Sequence, residues 1–205
     1  MAIVWAKKVF KWLRKLRTIA WLWYCGVDVW HFDRLSRKTL DQLLEEVENQ
    51  EVTLTYDAVY RRVVRIPLTV AVLIRVLSEN VWLRETKRVF RNGDVDEKLK
   101  YWSMTETQRK GEEILAAACR GLREELGLIV TPNQFNLYHP ILQFYPKYLS
   151  TAYHGIWTYS VITRYTLDLP ARPWPEEVKV IVDNGTEIHF KWVPLEGTDQ
   201  WYPIY

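Results

Sequence analysis

The residues whose types and spacing best suit chemistry lie in the segment Glu112–Leu128. On a helix, Glu124 and Glu125 follow position 121 by three and four residues, so the three positions lie close together on neighbouring turns. Carboxylates at this spacing can converge on a hard cation such as Mg²⁺, which prefers oxygen ligands. A cation held there would neutralise a diphosphate and activate water. Arg120 is predicted to pair with Glu124 one turn further on and to orient it.

A stripe of apolar side chains predicts that this segment is a helix with one buried side. The stripe positions follow the order i, i+3, i+4, i+7 and i+11, which places them on one face. Gly127 is a natural C-terminal cap, so the predicted helix is Glu112–Leu126. Inside a helix Gly121 costs about 1 kcal/mol relative to alanine, which predicts a packing reason such as the close approach of another backbone. The stripe consists of Leu115, Ala118, Cys119, Leu122 and Leu126.

The segment as a whole resembles the signature box of the Nudix hydrolases. Glu112 matches the first glutamate of the box, and seven residues separate it from Arg120, as in the family. An apolar strand with a hairpin partner before the box, and the phrase Phe190–Leu195 after it, are also similar to the family. The resemblance covers roughly residues 60–197. The remaining matches in the box are Leu122, Glu124, Glu125, Gly127 and Leu128.

The resemblance implies a fold and an activity. The fold would be α/β, a Nudix-like α/β/α sandwich with a mixed β-sheet, and the activity would be metal-dependent hydrolysis of a nucleoside diphosphate linked to another moiety. Mg²⁺ or Mn²⁺ would be the cofactor, with Glu124 and Glu125 as metal ligands. Arg120 would orient these carboxylates, and Glu112 would support the loop before the helix.

The sequence departs from the box at two positions. Glu106 stands where the family has its leading glycine, and Gly121 stands where the family has a metal-ligating glutamate. Losing that carboxylate removes a full negative charge from the cluster. Two functions therefore stay open: a hydrolase with weakened activity, and a catalytically inactive Nudix-fold module that binds a nucleotide or a protein. An active enzyme would need a replacement carboxylate from elsewhere, such as Glu106 or Glu177.

Acidic residues downstream of the box are further candidates for a ligand or a base. The resemblance implies that one such group comes from a loop or strand in that region. Glu176, Glu177 and Glu187 are the three residues that could supply it, and each could equally be a solvated surface charge.

Basic residues are concentrated at the start of the chain. Residues 1–17 hold six lysines and arginines and no acid, and removing six from the 28 bases leaves 22 against 25 acids. The body is therefore mildly acidic, which argues against a nucleic-acid-binding body. Three regions are predicted: a helical extension over residues 1–60, a Nudix-like domain over residues 61–197, and a tail over residues 198–205.

An amphipathic helix is predicted over residues 2–24, and three interpretations of its role stay open beside simple packing on its own domain. Residues 1–30 could attach to an anionic membrane surface through their tryptophans and bases. They could dock on a protein partner or on a second copy of the chain, giving a homo-oligomer. They could also be an organelle targeting sequence, since they are basic and free of acid up to Asp28.

The two cysteines, Cys25 and Cys119, show no metal-type spacing and are predicted to be free thiols, with Cys119 buried. No stretch is long and apolar enough to predict a membrane span, and no secretory signal is predicted. The expected location is therefore cytoplasmic, with or without peripheral attachment to a membrane.

Further elements follow from the apolar periodicity. A second helix is predicted over residues 36–50 with Ser36 as its cap, and residues 86–110 are predicted to be a charged connection with a turn at Asn92–Gly93. The predicted strands are Val52–Asp57, Leu68–Leu77, Val81–Glu85, Ile141–Tyr145, Gly155–Leu167 and Glu187–Val193, with a loop at Pro170–Pro175.

Overall fold

A computed structural model describes residues 2–91, 93–97, 102–137, 143–144, 148–150, 152–182 and 185–195. Within these residues the chain is mixed α/β, with a large sheet and several helices. The chain divides into two compact units. The first unit comprises Met1–Leu68 and Phe144–Val161, and the second comprises Thr69–Gln143 and Ile162–Tyr205. The division at residues 60 and 61 stays a prediction, and the tail 198–205 lies outside the described residues.

The described residues form four α-helices and twelve β-strands. The helices are α1 (Ala2–Tyr24), α2 (Phe32–Leu35), α3 (Leu40–Glu48) and α4 (Ile114–Leu126). The strands are β1 (Val52–Asp57), β2 (Arg62–Val76), β3 (Val81–Val89), β4 (Val95–Asp96), β5 (Met104–Thr107), β6 (Phe135–Leu137), β7 (Gln143–Phe144), β8 (Tyr148–Leu149), β9 (Ile156–Thr158), β10 (Val161–Asp168), β11 (Glu177–Ile181) and β12 (Glu187–Pro194).

The first unit contains the helix predicted over residues 2–24, which is α1. The second predicted helix, 36–50, is shorter than predicted and is α3. α3 begins after Thr39, whose side chain accepts the N–H of Gln42 while the Gln42 side chain accepts the N–H of Thr39. This capping box satisfies two donors that would otherwise lack partners at the helix start. The prediction that Ser36 caps this helix is wrong, because α3 begins at Leu40 and the Ser36 hydroxyl accepts the N–H of His154 instead of an N–H of the helix.

The core of the first unit lies between the helices and a small group of strands. β1 pairs antiparallel with the first part of β2, from Val52↔Pro67 to Asp57↔Arg62. β9 pairs in parallel with the same part of β2, and β8 pairs antiparallel with β9. The buried residues of this core are Leu22, Val27, Phe32, Leu43, Val63, Tyr153 and Ile156.

The sheet of the second unit has the strand order β11-β12-β3-β2-β10-β6. β2 and β3 confirm the predicted hairpin and extend it, with Asn80 in the left-handed region at φ 52° in the connection. β5 pairs antiparallel with β2, so that Glu106 lies opposite Val70 and Met104 lies opposite Val72. Because Met104 and Glu106 are two residues apart on one strand, they share a face of the sheet.

The prediction that residues 86–110 form a connection is wrong, since this range contains the end of β3 together with β4 and β5. Its charged side chains are accommodated by ion pairs such as Arg88–Glu85 at 2.9 Å and Lys87–Glu97 at 3.6 Å. The predicted strand Gly155–Leu167 is two strands, β9 and β10. β11 was not predicted, although its sequence alternates charged with apolar residues, the pattern of a half-exposed strand at the edge of a sheet.

Two predictions fall at least partly outside the described residues: the turn at Asn92–Gly93 and the strand Ile141–Tyr145, of which only β7 is described. The predicted strands β1 and β12 and the loop Pro170–Pro175 are confirmed. Both cysteines are free, as predicted, but Cys119 is only partly buried. Among the described helices, none combines the length and hydrophobicity needed to cross a membrane.

Candidate functional site

The helix that carries the candidate site, α4, begins and ends by local rules. Its C-terminal cap Gly127 has φ 67°, a left-handed conformation that glycine adopts without steric cost. The Gly127 N–H donates to the carbonyl of Arg123 at 3.1 Å, and the Leu128 N–H donates to the carbonyl of Leu122 at 3.2 Å. The predicted cap is therefore confirmed, while the helix starts two residues later than predicted, at Ile114.

Two sides of α4 are buried, rather than the single side predicted. On the apolar side, Ala118, Leu122 and Leu126 are buried, whereas Leu115 and Cys119 are only partly buried. Ala117, Arg120 and Gly121 are buried as well, on the side that the sequence predicted to be acidic. The second buried side arises because α4 packs against β5.

Gly121 lies where β5 comes closest to α4. A Cβ atom placed on Gly121 would be 2.9 Å from the Cβ of Glu106 and 2.9 Å from the Sδ of Met104. Both distances are shorter than van der Waals contact allows, so a side chain at position 121 would require β5 to move. The predicted packing reason for glycine is therefore confirmed, and the approaching groups are side chains of β5.

Arg120 is the centre of the charged residues around α4. Its Nε and Nη2 donate to the two carboxylate oxygens of Glu112 at 2.9 and 3.0 Å. Its Nη1 lies 3.0 Å from Glu106 Oε1 and 3.6 Å from Glu124 Oε2, and Nη2 also donates to the carbonyl of Thr107 at 2.9 Å. We call Arg120 with Glu106, Glu112 and Glu124 the Arg120 cluster; it joins α4 to β5 and to the loop between them.

Burial and charge act differently on the carboxylates of this cluster. Hydrogen bonding to Arg120 lowers the pKa of Glu112, which also accepts the N–H of Arg109 at 2.9 Å in the loop before α4. Burial raises the pKa of Glu106 although Arg120 favours its ionised form. The hydrogen bond from Arg120 to Glu112 raises the pKa of the guanidinium still further, so Arg120 stays charged at every ordinary pH.

Glu124 and Glu125 lie next to different arginines, Arg120 and Arg88. The side chain of Glu124 is 42% exposed at the edge of the Arg120 cluster. Glu125 is only 14% exposed and lies 3.9 Å from Nη2 of Arg88. Arg88 in turn donates two hydrogen bonds to Glu85, at 2.9 and 3.0 Å. The two carboxylates that were predicted to share a cation are thus each directed toward a guanidinium.

The pair Glu85–Arg88 could not have been found from sequence spacing. Residues three apart on a regular strand point to opposite faces of the sheet. The register between β3 and β12 shifts by one residue at this point. Phe190 lies opposite Glu85, but its neighbour His189 lies opposite Lys87, so Thr86 is skipped. This bulge leaves Thr86 without a register partner and returns Arg88 to the face of Glu85.

The donor set does not fit a divalent cation as the structure arranges it. Among the residues that the structure describes, no group of three acidic, histidine or cysteine side chains converges at a point where a metal ion could be held. The reason is visible in the Arg120 cluster, where a guanidinium takes the central position between Glu106, Glu112 and Glu124. The predicted Mg²⁺ or Mn²⁺ cofactor therefore has no assembled ligand set in this arrangement.

The downstream acidic candidates lie on the β11–β12 edge and have lysine partners there. Lys179 contacts Glu187 at 2.6 Å, and His189 also contacts Glu187. Lys191 lies 3.1 Å from Glu177 and 3.9 Å from Glu176. Of the two replacement carboxylates proposed from the sequence, Glu106 is the one that the structure brings to Gly121.

No protein family model matches the chain, and no curated protein matches it. Among solved structures, the chain is similar to a MutT/nudix family protein from Enterococcus faecalis at 12% sequence identity and a TM-score of 0.30. The likeness covers 78% of this chain but only 61% of that protein, and a TM-score this low does not establish a shared fold.

The contact between Gly121 and Glu106 gives a test by double-mutant cycle. Gly121→Ala is expected to lower the free energy of unfolding by about 1–3 kcal/mol through overpacking, more than the helical preference of alanine returns. In a Glu106→Gly background the same change should cost less or stabilise, giving a coupling of roughly 0.5–3 kcal/mol in urea unfolding.

The matched control for this cycle is Ala116→Gly, at an exposed position of the same helix. It should cost about 1 kcal/mol in both backgrounds, because it alters helix propensity without touching β5. Additive effects of Gly121→Ala and Glu106→Gly would show that the two residues do not compete for the same space.

Proposed function

We propose that the chain is a Nudix-like protein in which the signature helix is a structural brace, and that the domain binds its ligand without hydrolysing it. The observation that carries this proposal is the position of Arg120 between Glu106, Glu112 and Glu124. Carboxylates held by a buried guanidinium are already paired with a cation. Recruiting them as metal ligands would leave the buried charge of Arg120 without its carboxylate partners, at a cost of several kcal/mol.

Gly121 also supports this proposal, because the position of a family metal ligand is occupied by a residue without a side chain. In the family the residue at this position supplies a carboxylate, and here β5 leaves no room for one without rearrangement. The described donors do not form a metal site, and the proposed binding needs none. The α/β/α sandwich arrangement and the ligand class, a nucleoside diphosphate derivative, are part of the proposal and rest on the sequence resemblance over residues 60–197.

A second candidate function, weakened hydrolysis, is favoured by one specific observation. The side chain of Glu106 runs through the space that a side chain at position 121 would fill, with its Cβ and Cγ 2.9 and 3.1 Å from the Cβ site of Gly121. Its carboxylate and that of Glu124 approach the same nitrogen of Arg120. In this candidate the two departures from the box compensate one another, and Glu106 supplies the carboxylate that Gly121 lacks.

An assay of turnover and binding separates the two candidates. The full chain is incubated with nucleoside diphosphate derivatives and Mg²⁺ or Mn²⁺, and ligand binding is measured by calorimetry in parallel. We expect binding of at least one derivative and turnover no faster than in the protein-free reaction, because the metal ligands are not assembled.

The variants Glu106→Gln and Glu125→Gln each remove one of the carboxylates that an active site would need, and Glu113→Gln is the exposed control on the same segment. Metal-dependent turnover that disappears in the first two variants and survives in the third would contradict the brace proposal and establish the hydrolase. Absence of both binding and turnover would contradict the nucleotide-binding module.

A further inference from the structure

One side of the N-terminal helix α1 packs against the rest of the first unit. Leu22 is fully buried in the core of the first unit. Lys11 contacts Glu48 at 2.9 Å and Lys15 contacts Asp41 at 3.3 Å, both on or beside the acidic helix α3. Lys11, Lys15 and Leu22 are related by spacings of 4 and 7 residues, so they share a face. Part of the basic charge of α1 is therefore used for packing inside the unit.

A second side of α1 is apolar and exposed. Trp5, Trp12, Leu16 and Trp23 are 72, 60, 41 and 64% exposed. Their spacings of 7, 11 and 18 residues bring them to one line along a helix of 3.6 residues per turn, about 100° around the axis from Leu22. We call these four residues the outer stripe. Leu13, which is 48% exposed, lies beside it.

The outer stripe consists of large apolar side chains, which is unusual for a surface in contact with water. Three of the four are tryptophans, which combine a large apolar ring with an N–H donor and are enriched where one side of the residue is apolar and the other is wet. Single exposed apolar residues are ordinary, but a contiguous row of this kind marks a surface that binds something apolar.

The charge of α1 indicates what the outer stripe binds. The helix contains no acidic residue, and the exposed Arg14 and Arg17 are not among the bases paired with α3. The helix carries a net positive charge, and like charge on two copies of α1 disfavours their self-association. An anionic lipid surface satisfies both features, because it offers acyl chains for the tryptophans and a negative surface potential for the positive charge of α1.

From this geometry we propose that α1 is a membrane-surface anchor, which lies in the plane of an anionic lipid bilayer with the outer stripe toward the acyl chains. Arg17, about 120° around the helix from the outer stripe, would then reach the head groups, while Lys11 and Lys15 keep α1 attached to its own unit through Glu48 and Asp41. Arg14, about 180° from the outer stripe, would add positive charge without touching the lipid. The proposal does not depend on the ligand or the activity of the second unit.

Vesicle co-sedimentation of the full chain tests this assignment. The vesicles are phosphatidylcholine alone or phosphatidylcholine with phosphatidylglycerol, at physiological ionic strength. We expect binding to the anionic vesicles to exceed binding to the neutral ones by about tenfold or more, and to weaken with added salt. The combined variant Trp5→Ala, Trp12→Ala and Trp23→Ala should bind anionic vesicles about tenfold or more weakly.

The control variant removes three exposed apolar side chains outside α1, by Val59→Ala, Ile129→Ala and Ile181→Ala, and should bind as the natural chain does. Thermal melting monitored by circular dichroism establishes that each variant is folded. The anchor is overturned by equal binding to both vesicle types, by no binding, or by equal losses in the two variants. Self-association that requires the three tryptophans, detected by sedimentation velocity without lipid, would instead assign the outer stripe to a second copy of the chain.

Discussion

Replacing Arg120 with alanine is expected to lower the free energy of unfolding by about 3–5 kcal/mol, the usual cost of removing one partner from a buried ion pair. The substitution leaves Glu106 and Glu112 without their common partner, and the side chain of Arg120 is itself only 9% exposed. It also removes the hydrogen bond to the carbonyl of Thr107, which holds β5 to α4. Urea unfolding of the full chain, followed by circular dichroism, measures the effect.

The control is Arg123→Ala, three residues further along the same helix and exposed. It removes a guanidinium from the last turn of α4, where interaction with the helix dipole contributes about 1 kcal/mol or less. If both substitutions have the same small effect, the Arg120 cluster is not a brace, and the proposed function loses the observation that supports it.

A similar loss of about 3–5 kcal/mol is expected for Glu46→Ala in the first unit, again because buried charges lose their partner. The carboxylate of Glu46 accepts hydrogen bonds from Lys38 at 2.7 Å, Arg65 at 2.7 and 3.0 Å, and the Tyr153 hydroxyl at 2.7 Å. These partners come from three separate parts of the chain, so the residue joins the loop before α3, β2 and the segment before β9. The exposed neighbour Glu45→Ala is the control and should change stability by less than about 0.5 kcal/mol.

The contribution of Glu46 should also depend on pH. Burial alone would raise its pKa, but the charges of Arg65 and Lys38 outweigh burial and hold the pKa below the ordinary value of 4.5. The stabilisation is therefore present above pH 4.5 and is lost as the pH falls through the lower value of the folded state. The difference in the free energy of unfolding between the natural chain and Glu46→Gln should become smaller as the pH is lowered from neutral to strongly acidic. A difference that does not change with pH would contradict the ionised state assigned to Glu46.

The sequence by itself determined those features that depend on neighbours within a few turns or a few residues. Helical spacing of apolar residues located α1 and α4, and Gly127 located the end of α4, because a cap requires only local backbone geometry. Alternation of apolar and polar residues located β1 and β12 for the same reason. At α3 a local signal was available but was not used: Ser36 and Thr39 are both acceptable caps, and only Thr39 is followed three residues later by a glutamine, Gln42, that completes a capping box.

The candidate site was predictable in part, since the box spacing identified Arg120, Glu112 and Glu124, which the structure brings together. Only the tertiary structure decided what these residues contact. Glu106 reaches Gly121 because β5 packs against α4, and Arg88 reaches Glu85 because a bulge changes the face to which it points. Such contacts depend on packing and register between distant segments, and a short-range pattern carries no information about either. The periodicity of α1 likewise predicted an amphipathic helix, while its contacts with α3 decided which face remains exposed.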